Sequence, residues 1–471
     1  MSNMKKIFSL VLLPAIFFPL LVCSQSIVIS LDEAIDIALE KNREIEIAGM
    51  EVRKSRAAVR EAFGYALPTI DVSGNYSHFV QKPRMPFPDF EALLGNATYA
   101  ILFDEGVLPR DEDKFRAIST QLQSFAQTNN YESQIQVTQP LFNSTVFRGI
   151  GASRRYHHLA EEELQRTMSS TILEVKRSFY AVLLTKEMYE IALASFDNAS
   201  DNLRNVRAAH EQGLVAEFDL LQAEVQVENI RPMVLQSENA LKNSKYGLKI
   251  VLGLDQKQEI DVTGEMNYAK EIIPDADEIV REAYRRNFGI RSLEIKKDVD
   301  RAFIDYYQSE YWPVLYAFGN YSYSGSDDRY KFQNYSSSIV GVTLSFNLFT
   351  GGRTRQRVQQ ARVTMHQTET QLLQYRDYVA MQVKSKINDL HRVQSILEAQ
   401  ERNVELAERA YSIAVVRYRE GTGNQLEVQN ADIALRQART NRLNSVYDYI
   451  IARAELDHLA GRINEMYTAR L

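Results

Sequence analysis

The chain has a single cysteine, Cys23, among 471 residues, so no disulfide can form within it. It has no basic excess either: Lys plus Arg number 55 against 61 for Asp plus Glu, a formal net charge of -6. A nucleic-acid surface needs clustered cations, so no nucleic acid is expected as a partner. After the first residues no segment offers about 18 consecutive apolar side chains, so no helix is expected to span a bilayer. Any crossing must use strands. Chemical motifs are missing too: there is no phosphate-binding loop, no HExxH and no cysteine pair for a metal. The His157-His158 pair follows an expected strand and reads as polar interface rather than ligand. Neither catalytic residue, cofactor nor metal is expected, and the Asn-x-Ser/Thr triplets at Asn75 and Asn320 fall in expected strands.

What is present begins with MSNMKKIFSLVLLPAIFFPLLVCSQS: a basic start at Lys5 and Lys6, an apolar run from Ile7 to Val22, then small polar residues. That is the layout of a secretory signal peptide, 1–24. Pro14 and Pro19 argue against a retained membrane helix, and cleavage after Ser24 leaves Gln25 first and removes Cys23. A rival reading makes Cys23 a lipidated first residue, against which Val22 stands where a small residue is expected.

The chain is written twice. LDEAIDIALEKN at Leu31 returns as ADEIVREAYRRN at Ala276, and an offset of 245 carries Asn42 onto Asn287, Pro68 onto Pro313 and GNYS at Gly74 onto GNYS at Gly319. Further along, Phe142 matches Phe349 at an offset of 207 and Gly213 matches Gly421 at 208. The difference, 245 minus 207, is 38 extra residues in the first copy. Such duplication implies one architecture of two similar halves. The first, 25–252, is expected to hold strands at about 69–80 and 131–142, a long Pro-containing loop at 81–130 and a helical hairpin with its tip at 213. The second, 253–461, holds strands at about 314–324 and 337–349 and a hairpin with its tip at 421. A tail, 462–471, follows, and Pro232 is expected to kink the closing helix of the first copy.

The strands alternate with period two. Ile70, Val72, Gly74 and Tyr76 alternate with Thr69, Asp71, Ser73 and Asn75, while Val340, Val342, Leu344, Phe346 and Leu348 alternate with Gly341, Thr343, Ser345 and Asn347. One apolar face with tyrosines near the ends suits a transmembrane barrel with lipid outside; four half-buried strands of a soluble sandwich are the plainer alternative. Four strands cannot close a barrel, so a barrel reading requires several chains. The helices set a length scale: 72 residues separate Phe349 from Gly421 and 71 separate Phe142 from Gly213, without a proline. At about 1.5 Å per residue, some 65 helical residues reach roughly 100 Å. Val358, Ala361, Met365, Thr368, Leu372, Tyr375 and Val379 step by threes and fours, as do Leu397, Gln400, Val404, Ala407, Tyr411, Ala414 and Tyr418. That is a seam for a neighbouring helix, thin because it is often Ala, Thr or Gln.

A signal peptide, duplicated halves, strands ending in QPLF or FNLF, very long helices and Gly-Leu or Gly-Thr turns before polar helices together resemble the TolC-like outer membrane efflux proteins. The likeness runs from Ile29 to Gly461. It implies an α+β membrane protein in the outer membrane of a Gram-negative bacterium: a homotrimer whose four strands per chain make a 12-strand β-barrel, continued into the periplasm by an α-helical coiled-coil barrel. The implied function is a passive exit duct for an inner membrane pump, reached through a periplasmic adaptor protein, with no enzyme activity. A periplasmic coiled-coil structural or adaptor protein without a pore is the alternative, though no compact β module follows either tip. Residue by residue, the resemblance places Gly213, Leu214, Gly421 and Thr422 at adaptor-contact turns. It makes Tyr418 and Asp219 a link that holds the inner hairpins closed, and Glu427 and Asn430 the constricted pore mouth. Gly423 stands where the family type has a lock arginine, and Asn430 where it has an acid, so weaker cation trapping is expected than at a two-ring mouth.

Overall fold

The computed structural model describes residues 27–464 and Tyr467; the expected signal peptide and most of the tail lie outside the described residues. In chain order the elements are β1 (Ile27–Ile29), α1 (Leu31–Lys41), α2 (Arg43–Gly64), β2 (Thr69–His78), β3 (Met85–Pro88), α3 (Phe90–Asp104), β4 (Thr120–Gln123), β5 (Asn129–Asn143), α4 (Ser144–Glu211) and α5 (Glu217–Leu252). Then follow β6 (Ile260–Val262), α6 (Ala276–Arg286), α7 (Phe288–Gln308), β7 (Val314–Asp327), β8 (Gln333–Ser345), α8 (Arg353–Arg419) and α9 (Gln425–Ala460). The 68-residue α4 and 67-residue α8 are each followed by a helix of 36 residues. Pro232 lies inside α5.

One compact unit comprises the described residues that fall within Met1–Lys54, His158–Lys297 and Gln367–Leu471. Its core is a seam of apolar side chains at helical spacing: Ile172, Val175, Phe179 and Val182 of α4 with Val379, Val383, Leu390 and Leu397 of α8. Leu248 and Leu252 of α5, Val446 and Leu456 of α9, and the small parallel ladder of β1 on β6 complete it. Past Leu397 the seam thins, as only Ala414 of its remaining residues is buried.

Two similar joints fix the ends of the closing helices. Asn42, between α1 and α2, donates from Nδ2 to the Val251 carbonyl (2.7 Å) and accepts the Glu44 amide at Oδ1 (2.8 Å). Asn287, between α6 and α7, donates to the Leu459 carbonyl (3.0 Å) and accepts the amides of Gly289 and Ile290 (3.0 and 3.1 Å). Beside each stands a C-terminal glycine with positive φ, Gly253 at 71° and Gly461 at 76°, where any Cβ would overlap the carbonyl of Lys41 or Arg286. A side chain there would have to displace backbone, so only glycine lets the strands of chain approach so closely.

The second unit comprises Ser55–His157 and Asp298–His366. It holds an antiparallel sheet in the order β2-β5-β7-β8. β5 carries a bulge between Pro140 and Phe142, which accommodates a proline that could not donate to a regular ladder. β8 stops at Ser345 rather than at 349, because Ser345 pairs with Val314 and the next partner would be Pro313, which has no N–H. β7 in turn runs past 324 to Asp327.

The stretch 81–130 is not a plain loop. It contains the β3–β4 hairpin and the 15-residue α3, whose Tyr99 and Phe103 stack and whose Phe103 meets Phe115. Prolines at both ends gave it the look of a loop, while FEALLGNATYAILF is apolar around most of its circumference and so lacks the stripe by which helices are recognised. His157 bonds Ser55 Oγ through Nδ1 at 2.8 Å, an ordinary polar contact.

Candidate functional site

The two helical turns are built alike. Where α4 ends, the Gly213 amide donates to the His210 carbonyl (2.8 Å) and the Leu214 amide to that of Ala209 (2.9 Å). Where α8 ends, Gly421 donates to Tyr418 (3.1 Å) and Thr422 to Arg417 (2.9 Å). Both glycines hold φ at 71°, the left-handed conformation that closes a helix by satisfying its last carbonyls. All four turn residues are exposed. The restarts differ: α5 begins at Ala216 without a side-chain cap, whereas Asn424 caps α9 by accepting the Glu427 amide at Oδ1 (2.9 Å).

Tyr418 and Asp219 do come near one another. Both are half-buried, and burial, then the Asp219 carboxylate, holds the Tyr418 phenol above its ordinary value. No hydrogen bond joins them within one chain among the described residues. Asn430 is exposed on α9. Glu427 is not the bare carboxylate expected at a mouth, since its Oε2 lies 3.2 Å from Nη1 of Arg417 across the turn.

Above the turn lies a charged cluster that the sequence did not single out. Asp432 and Arg436 pair at 3.9 Å with each side chain only 14% exposed, and burial raises the Asp432 carboxyl against the opposing effects of Arg436 and Arg439. Tyr411 is pushed up first by burial and then by Asp432, and Arg439 reaches Glu408 of α8 at 2.8 Å. Gln429 donates to Gln226 at 2.6 Å, and Arg436 to the Met233 sulfur at 3.8 Å, tying α9 to α5 over 203 residues of sequence. A second missed feature is the stripe Leu214, Phe218, Leu221 and Val225, spaced by four, three and four and exposed throughout, Leu214 to 73%. Such a seam fits another helix. Among the described residues no group of three or more His, Cys, Asp or Glu could hold a metal ion.

The family model described as outer membrane efflux protein matches residues 34–254 and 279–462. The chain belongs to that family. Among its relatives is the outer membrane protein TolC of Vibrio cholerae, 24% identical over 335 residues, which is 70% of this chain and 76% of the relative. The alkaline protease secretion protein AprF of Pseudomonas aeruginosa is 23% identical over 341 residues, 72% of this chain and 71% of the relative. Among solved structures, the Campylobacter jejuni CmeC outer membrane channel superposes with a TM-score of 0.70 at 16% identity, over 92% of this chain and 85% of the other. The Vibrio cholerae outer membrane protein VceC gives 0.67 at 14% identity, over 92% and 96%. The structural likenesses concern the fold. This chain is thus an outer membrane efflux protein, its setting the outer membrane and the periplasm, and the reading as a pore-less periplasmic protein gives way.

Proposed function

We propose that three copies of this chain form the exit duct of a tripartite efflux or type I secretion system. The observation that carries the reading is the sheet. Its edges, β2 and β8, have no partner strand among the described residues, and apolar side chains such as Val72 and Val340 are 75% and 86% exposed. Open strand edges do not persist in hydrocarbon, where each unpaired N–H or C=O is costly, and no described helix is long and apolar enough to cross a membrane. Since β2 and β8 run in opposite directions, β8 of one copy can continue antiparallel onto β2 of the next. Three copies then close a 12-strand barrel with lipid outside.

The near-equal lengths of the paired long helices and the twin joints at Asn42 and Asn287 support the duplicated halves. In this duct the long helices line a periplasmic tunnel. The exposed stripe from Leu214 to Val225 packs against a helix of a neighbouring copy. Gly213, Leu214, Gly421 and Thr422 receive the adaptor that connects to an inner membrane pump. Tyr418 and Asp219 are close enough for a modest shift in the assembled trimer to link them, and Glu427 and Asn430 face the mouth. The duct does no chemistry; the pump supplies the energy and chooses the substrate. Fractionation tests the reading: heat-sensitive trimers extracted from outer membranes with detergent are expected, and a soluble monomer would end it.

A further inference from the structure

We infer that Arg417 sets the ion selectivity of the mouth by neutralising Glu427 from within the same chain; this rests on the duct proposed above. The guanidinium is held at two points. Nη1 is 3.2 Å from Glu427 Oε2, and Nη2 donates to the Thr422 carbonyl at 3.1 Å. The Arg417 backbone is fixed as well, its carbonyl accepting the amides of Thr422 (2.9 Å) and Gly423 (3.0 Å) and the Thr422 hydroxyl (3.2 Å). Glu427 is anchored from the other side by the Asn424 cap. An exposed ion pair alone is weak because two flexible side chains must be ordered. Here the turn orders the Arg417 guanidinium through the Thr422 carbonyl and the Glu427 backbone through the Asn424 cap, so less order is left to be imposed when the side chains meet.

Gly423 completes the arrangement. A Cβ at that position would stand 3.1 Å from Arg417 Cβ and 3.3 Å from Glu427 Oε2, tighter than side chains normally pack. The absence of a side chain, which looked like the loss of a lock residue, leaves room for the pair. The first turn is bridged elsewhere, by Arg207 and Glu224 at 2.8 Å; at the offset of 208 that relates the turns, Ala209 stands for Arg417 and Asp219 for Glu427. At the matching positions the first copy thus offers the Asp219 carboxylate with an alanine in place of the arginine. Three-fold repetition would bring three Arg417–Glu427 pairs to the mouth, a ring balanced in charge rather than acidic. Cations then gain little at this ring, and exposing three bare carboxylates requires removal of Arg417.

The test is planar-bilayer recording of the full-length protein, measuring cation-over-anion permeability and block by a divalent cation for wild type, Arg417→Gln, Arg417→Lys, Glu427→Gln and the double variant R417Q/E427Q. Arg417→Gln is expected to raise cation preference and divalent block severalfold, and Glu427→Gln to lower cation preference. The double variant returns close to wild type, and Arg417→Lys keeps wild-type selectivity. Melting temperatures of the same proteins separate a purely structural staple, which would lower stability without moving selectivity. Conducting channels whose selectivity is unmoved by Arg417→Gln overturn this inference alone. A wild type that forms no channels overturns the duct reading, and this inference with it.

Discussion

Replacing Asn287 with alanine removes three hydrogen bonds at one joint, and replacing Asn42 removes the corresponding set at the other. The two should not cost the same. Asn287 is 4% exposed and its amide partners, Gly289 and Ile290, are buried, so the variant leaves two buried donors and the Leu459 carbonyl without partners. Loss of a capping side chain costs about 1 kcal/mol, and stranding buried polar groups raises this to about 2–4 kcal/mol in total. Asn42 is 8% exposed, but its partner Glu44 is exposed and Ile45 only half-buried, so water can take over and the cost falls to about 1–2 kcal/mol. For a cooperative unit of about 270 described residues, an unfolding entropy of about 2.1 cal/mol/K per residue means about 2 °C lost per kcal/mol, so Tm should drop by about 4–8 °C for Asn287→Ala and by about 2–4 °C for Asn42→Ala. Asn287→Asp keeps the acceptor and loses the donor, and should fall between wild type and the alanine variant. The assay is thermal unfolding of detergent-purified protein followed by far-UV circular dichroism. An Asn42→Ala variant that melts at or below the temperature of Asn287→Ala would refute the reasoning that burial of the partner amides sets the cost.

Four further outcomes are expected. Gly253→Ala and Gly461→Ala force a Cβ onto the carbonyls of Lys41 and Arg286 at a positive φ, so each should lower folded yield and Tm more than the neighbouring asparagine variant; equal Tm to wild type would contradict the close approach. Burial pushes the His458 imidazole, 2.9 Å from Ser169 Oγ, below its ordinary value. Because the unfolded chain takes up that proton first, the stability contributed is present above about pH 6.5 and is lost as pH falls below it, at up to about 1.4 kcal/mol per pH unit. The fall in Tm from neutral to mildly acid pH should therefore be shallower in His458→Gln, and an unchanged slope would argue against it. Arg436→Gln strands the poorly solvated Asp432 and should destabilise by about 1–3 kcal/mol in thermal melts, whereas Arg409→Gln, which breaks the open Arg409–Glu405 pair, should leave Tm unchanged. Finally, Tyr418→Phe and Asp219→Asn should each raise resting single-channel conductance if they latch the inner hairpins, and wild-type conductance in both would remove that role.

The features legible in the sequence are those with a local period. Alternation at Ile70, Val72 and Val340, Val342 marked the strands, and the spacing from Val358 to Val379 marked a face that is in fact the least exposed side of α8. Gly213 and Gly421 marked both turns because positive φ selects glycine. The strand ends were misjudged where a partner rather than a propensity decides: β8 ends opposite Pro313, a residue 32 positions earlier in the chain than Ser345. The helix within 81–130 was missed because a nearly all-apolar segment shows no stripe.

By itself, then, the sequence determined two turns, four alternating strands, two very long helices and a twofold pattern of residues, since each is written within a few neighbours or by comparison of the chain with itself. Only the tertiary structure decided which charges meet. Arg417 and Glu427 are ten residues apart, beyond the three or four that place side chains on one helical face, and they pair only because the turn at Gly421 reverses the chain. Asp432 and Arg436 lie four residues apart on one face of α9, and each side chain is only 14% exposed because α5 lies against α9, an approach fixed by the packed core rather than by either segment.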